Sequence, residues 1–330
     1  NDRLPQLLER LTGLLGYDRA LPVNTGLEAV ETALKAARKW AYTVKGVPAD
    51  QAEIIVCDGN FHGRSTTIVG FSSEDQYRDG FGPFTPGFRR IPFGDADALA
   101  AALTPHTAAF LFEPIQGEGG IRIPPAGWLA RCAELCRQAN VLLIADEVQT
   151  GLGRTGRLLA CEHEGVRPDG VILGKALGGG LLPVAAFVAD DAVMQVFQPG
   201  DHGSTFGGNP LSSAVADEAL ALLADEHLAE RAATLGARFL ARLQRIANPL
   251  IREVRGRGLL IGLELDTRRV NARLAAEWLL ARGLMTKDTH DSVLRFAPPL
   301  IIEETTLMRA ADVVEEALAD LARRLSGAHP

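Results

Sequence analysis

Apolar residues recur along this chain at two different spacings. Residues 27–42, LEAVETALKAARKWAY, place Leu27, Val30, Leu34, Ala37 and Ala41 at steps of three and four, on one face of a helix. NTG stands just before, and Thr25 followed by Glu28 has the spacing of a capping box. WLARCAELCRQAN has the same helical period. Elsewhere the apolar residues run together, in AEIIVCDG, AAFLFEP, VLLIADEV, GVILGKA, PVAAFVAD and GLLIGLEL. Short unbroken apolar runs closed by Gly, Pro or Asp predict strands buried on both faces. Such strands alternating with amphipathic helices predict an α/β fold, a mostly parallel central sheet sandwiched by helices. Residues 207–246 read as one long helical region, broken near Asn248–Pro249, and a mixed α+β tail follows. The expected division is a large domain of residues 1–246, including that connecting helix, and a smaller C-terminal domain of residues 247–330.

Composition narrows the function classes. The 330 residues are 47% apolar and 23% charged, ordinary for a folded chain with a sizeable core. The net charge is −7, from 34 basic and 41 acidic residues, and no basic cluster is dense enough to track a phosphate backbone. No nucleic-acid partner is therefore expected. Runs such as VLLIA are too short to cross a bilayer, and no signal peptide opens the chain, so no membrane association is expected. Cys57, Cys132, Cys136 and Cys161 form no Cys-x-x-Cys pair. They read as buried thiols in a reducing, cytoplasmic setting. No His, Cys and carboxylate cluster has ligand spacing, so no metal is expected.

In a mostly parallel sheet, ligands bind at the carboxyl ends of the strands. Asp146 ends VLLIAD, and Lys175 follows VILG and precedes a glycine run. Taken singly, the Asp could cap the next turn and the Lys could be solvated or ion-paired. Together they suit pyridoxal 5′-phosphate. A desolvated lysine amine is a nucleophile toward an aldehyde, and a strand-end Asp can hold a protonated pyridine nitrogen. A phosphate site is offered by NTG at a helix start, through the amides of Gly26 and Leu27, or by Ser204 and Thr205 in HGSTFGGNP. Arg64 in FHGRS and Arg295 in VLRFAPP are candidate carboxylate ligands, and Glu118 lies in the turn EPIQGEGG. His62 and His202 read as loop residues in which a structural role is the simpler one.

LPVNTGLEAVETALKAARKW, NFHGRSTTIVGFS, EPIQGEGG, LLIADEVQTGLGRTG, ILGKALGGG and GSTFGGNP follow one another in an order that resembles the class III aminotransferases. These are pyridoxal-phosphate enzymes of fold type I, and the match spans nearly the whole chain. RDGFGPFTPGF, GKALGGGLLPVAA and THDSVLRFAPPL are similar to the branch that acts on ornithine. The resemblance implies that Lys175 carries the cofactor and then shuttles a proton between the substrate carbon and C4′. It implies that Asp146 pairs with the ring nitrogen, Phe61 and Val148 cover the two ring faces, and Gln149 contacts the ring hydroxyl. His62 and Thr25 join the cofactor contacts, Gly26 and Leu27 bind the phosphate, and Ser204 lies beside Thr205. Thr205 would reach the phosphate of a neighbouring subunit, which makes the expected assembly a homodimer or a higher oligomer.

Arg295 would bind the α-carboxylate of glutamate or 2-oxoglutarate and Arg64 the distal one. Glu118 would cover Arg295 while L-ornithine reacts. The implied reaction moves the δ-amino group of L-ornithine to 2-oxoglutarate, giving glutamate and glutamate 5-semialdehyde, which cyclises to pyrroline-5-carboxylate. Acetylornithine or 4-aminobutyrate as donor, another reaction on the same fold, and a non-catalytic homologue are the alternatives. Family members also carry a further N-terminal segment ahead of what is Asn1 here. It packs on the small domain and contributes aromatic residues around the ornithine carboxylate, so a chain lacking it would be expected to lose substrate binding, dimer stability and activity.

Overall fold

The structure, a computed structural model, describes residues 2–327. Eleven strands and eight helices of seven or more residues follow in the order α1 (Arg3–Leu15), β1 (Arg19–Val23), α2 (Gly26–Trp40), β2 (Glu53–Cys57), β3 (Phe88–Ile91), α3 (Ala96–Ala102), β4 (Thr107–Phe112), α4 (Trp128–Gln138), β5 (Leu142–Asp146), β6 (Gly170–Leu173), β7 (Ala185–Ala189), α5 (Pro210–Asp225), α6 (Leu228–Gln244), β8 (Ile251–Arg257), β9 (Leu260–Leu265), α7 (Ala272–Leu280), β10 (Lys287–Thr289), β11 (Val293–Phe296) and α8 (Glu304–Gly327). They form two compact units. One comprises Asn1–Pro114, Pro124–Leu152 and Leu159–Glu226; the other comprises Ile115–Ile123, Gly153–Leu158 and His227–Pro330.

The first unit is built on a seven-stranded sheet in the order β1-β7-β6-β5-β4-β2-β3. The pairs from β6 through β3 are parallel, and β7 runs antiparallel to both β1 and β6. Side chains alternate between its faces with the period of two that a strand imposes. Ile54, Val56, Ala109, Leu111, Leu142 and Ile144 pack with α2. Ile55, Cys57, Phe110, Phe112, Leu143 and Ala145 pack with Trp128, Leu129, Cys132 and Cys136 of α4. All four cysteines are buried and reduced.

The second unit has an antiparallel sheet in the order β10-β11-β9-β8. Ile261, Leu263, Leu265, Leu294 and Phe296 share a core with Phe239 and Leu243 of α6, Leu279 of α7 and Leu318 of α8.

The expected single helical region over residues 207–246 is instead two helices, α5 and α6. His227 breaks it by adopting φ +50°, a left-handed backbone that no continuous helix accommodates. Among the described residues, no helix is long and apolar enough to cross a membrane.

Candidate active site

Four neighbouring parallel strands, β6, β5, β4 and β2, end on the same edge of the large sheet. Beyond their ends lie Lys175, Asp146, Glu113 and the pair Phe61–His62. Strand direction alone therefore gathers an amine, two carboxylates, a phenyl ring and an imidazole from segments far apart in sequence.

Asp146 is buried and fixed from two sides. Its Oδ1 accepts the Val148 amide at 3.0 Å, and its Oδ2 faces His62 Nδ1 at 2.7 Å. His62 is itself buried, and its Nε2 has no hydrogen-bond partner. Burial works against a charge on this imidazole, but the bond to Asp146 and its negative charge prevail and raise the His62 pKa. His62 thus touches the strand-end carboxylate directly.

Glu113 was not singled out by the sequence. Its Oε2 accepts the Phe61 amide at 3.0 Å. Burial above all, with the charge of Asp146 adding to it, pushes its pKa up to about 8, against the opposing pull of His62 and Lys175. The signal was available: like Asp146, Glu113 directly follows an unbroken apolar strand.

Lys175 opens a short 3₁₀ turn after β6 and sits at φ +44°. A non-glycine residue in this region is strained and recurs at functional positions. The sequence leads one to expect a desolvated amine, but Lys175 is exposed. Gly174 before it and Gly178–Gly180 after it place no side chain over the lysine.

The NTG turn starts α2 with a complete capping box. Thr25 Oγ1 accepts the Glu28 amide at 3.2 Å, and Glu28 Oε2 accepts the amides of Asn24 and Thr25, each at 2.8 Å. This leaves Gly26 and Leu27, in the first turn, outside the helical ladder and at the positive end of the helix dipole. The two candidate phosphate loops meet, because Asn24 Nδ2 donates to Ser204 Oγ at 2.9 Å. Thr205 is exposed beside them. Val148 is half-buried and packs so closely on Gly26 that a Cβ there would come within 3.1 Å of its methyl. Gln149 follows, also half-buried.

These residues fit pyridoxal 5′-phosphate. A braced carboxylate is available for the ring nitrogen, an amine follows the adjacent strand, the Phe61 ring and the apolar Val148 follow strands that end on the same edge, and a helix N-terminus can take the phosphate.

Arg64 is exposed, with its guanidinium 5.7 Å from the Phe61 ring centre and 5.2 Å from that of Tyr77. Among the described residues it has no ion-pair partner. In the second unit, Arg295 on β11 donates from Nη1 to Glu118 Oε1 at 2.6 Å, and both are largely shielded from solvent. His202 stands apart from these groups, between Thr32 Oγ1 and Lys35 Nζ on α2.

Residues 1–318 match the family Aminotransferase class-III. An ornithine aminotransferase of Brevibacillus brevis is 56% identical over 318 residues, covering 96% of this chain and 79% of its own length. Among solved structures, the ornithine aminotransferase of Toxoplasma gondii ME49 is similar with a TM-score of 0.96 at 47% identity, covering 98% of this chain and 78% of that one. The acetylornithine aminotransferase of Elizabethkingia anophelis, 48% identical, has a TM-score of 0.87 and covers 97% of this chain and 80% of its own.

Proposed function

The chain belongs to the class-III aminotransferases, and on that premise we propose that it transfers the δ-amino group of L-ornithine to 2-oxoglutarate, forming glutamate 5-semialdehyde and glutamate. The observation that carries the choice of substrates is the ion pair of Arg295 with Glu118. A guanidinium covered by a carboxylate offers no seat to a substrate carboxylate, which suits a diamino acid. Once uncovered, it binds one end of a dicarboxylate bidentately. Arg64, exposed and, among the described residues, without an ion-pair partner, is a second candidate ligand for a substrate carboxylate.

The cofactor is pyridoxal 5′-phosphate, held by Lys175, Asp146, Phe61, Val148, Gln149 and the first-turn amides of α2. When bound, it supplies an electron sink for the electrons of a substrate C–H bond. Lys175 Nζ would carry the proton lost by ornithine Cδ to C4′ in the first half of the cycle and, in the second half, carry a proton from C4′ to the substrate carbon. Asp146 presents a fixed anion, braced by Val148 and His62, that favours a protonated ring nitrogen. Glu113, its pKa pushed up to about 8 by burial, favours its protonated form at neutral pH.

Thr205, exposed next to Phe206, supplies a hydroxyl to the phosphate site of a second copy. Light scattering on the loaded protein should therefore give about twice the chain mass of 35.3 kDa.

The test of the reaction is the visible spectrum of the cofactor-loaded protein. L-ornithine should convert the bound cofactor to its amine form, and N-acetylornithine should do so poorly. The opposite preference would reassign the donor, and no change with either compound would end this reading.

A further inference from the structure

Arg255, on β8, has no part in the chemistry above, yet it grips the loop that carries Glu118. It pairs in register with Gly262 of β9, and Gly262 pairs with Arg295 of β11. Residues directly opposite one another share a sheet face, so the two arginines flank a single glycine on one row. A Cβ at Gly262 would meet Ile121 Cβ at 3.0 Å, so Ile121 occupies the space over that glycine. Ile121 itself sits at φ +54°, after Gly120 at φ +96°. A left-handed backbone is costly for a β-branched residue and persists only where its surroundings enforce it.

Arg255 supplies that enforcement. Its Nη2 donates to Gly120 O at 2.7 Å and its Nε to Ile121 O at 2.9 Å. Its Nη1 donates to Glu253 at 2.8 Å and to Glu264, which gives this cation carboxylates of its own. Glu264 also accepts from Arg252 at 3.2 Å. The main-chain bridge Gln116–Arg122 closes the base of the loop, with both bonds at 3.1 Å. Two residues before Gly120, Glu118 reaches Arg295.

We propose that Arg255 is a positioning residue that sets how completely Glu118 covers Arg295, and thereby how strongly the protein prefers ornithine to a dicarboxylate. This rests on the roles assigned above to Glu118 and Arg295. A lysine would not replace it, because an ammonium is a single point charge and cannot hold two successive carbonyls and a carboxylate in one plane.

The test compares Arg255→Gln, Arg255→Lys, Glu118→Gln and the Arg255→Gln/Glu118→Gln double variant, each as the full, cofactor-loaded chain. Two quantities are read: the ratio of kcat/KM for glutamate to that for ornithine, and the calorimetric affinity for glutarate, a dicarboxylate that cannot react. Loss of charge-assisted hydrogen bonds should raise both about five- to tenfold in Arg255→Gln, with Arg255→Lys close behind. The double variant should match Glu118→Gln, since Arg255 acts through Glu118. A loss of folded protein scales both substrates alike and leaves the ratio unmoved.

Should Arg255→Gln fail to fold, Gly262→Ala displaces Ile121 from the other side and must shift glutarate affinity in the same direction. Unchanged glutarate affinity, or effects that add in the double variant, would overturn the proposal. If the unaltered chain ignores ornithine, the functional reading falls, and glutarate binding alone still decides the role of Arg255.

Discussion

At the ends of β4 and β5, Glu113 and Asp146 are close enough to feel each other's charge, and the protein resolves the conflict by leaving a proton on Glu113. The consequence is a pH dependence with a definite sign. The unfolded chain gives up that proton near the ordinary carboxyl pKa, whereas the folded chain keeps it until about pH 8. The stability linked to Glu113 is therefore complete below the ordinary carboxyl range and is lost as pH rises toward 8. His62, also raised, works in the same direction. In the cofactor-free protein, Glu113→Gln should flatten the fall of Tm between pH 6 and 8.5, and identical slopes in the two proteins would refute the assignment. At this scale the sequence was partly legible. Asp146 and Lys175 stood out because each follows a buried strand. Glu113 has the same signal, whereas Arg255 carries none, because its contacts lie with two carbonyl oxygens of a distant loop.

At the scale of elements, β2, β4, β5, β6, β7 and β9 were readable as strands, and all six are interior strands of their sheets. The four edge strands β1, β3, β8 and β10 were not. RALPV, FRRI, IREVRGR and KDT are charged or interrupted by proline, as edges generally are, so the unbroken apolar run that marks a buried strand is missing. The break between α5 and α6 was equally hidden, since apolar period does not register one residue at positive φ. The start of α2 was legible from Thr25 and Glu28, and its capping box has two tasks, ending the helix and directing Gly26 and Leu27 outward. Thr25→Ala should cost about 1 kcal/mol and should also weaken pyridoxal-phosphate affinity. Thermal unfolding and equilibrium dialysis measure the two separately, and a loss of stability with undiminished affinity would place the phosphate elsewhere.

At the scale of the whole molecule, the unit built on the smaller sheet takes in residues 115–123 and 153–158, which lie far from the tail in sequence. Glu118 and Arg295 meet because of that return, and no reading of local pattern foretells it. The thiols, by contrast, are all in the other unit: Cys57, Cys132, Cys136 and Cys161 belong to the large sheet and its helices. Burial pushes Cys136 up to about 12 and raises Cys132 and Cys161 as well, so the reactive thiolate is scarce while the unit stays closed. Alkylation counted by mass spectrometry should be nearly silent in the native protein and should appear only as that unit opens. The smaller unit, with no thiol among its residues, could come apart unseen. The chain thus carries a chemical clock wired to one half of its fold, able to time the opening of the unit built on the large sheet without hearing the smaller one.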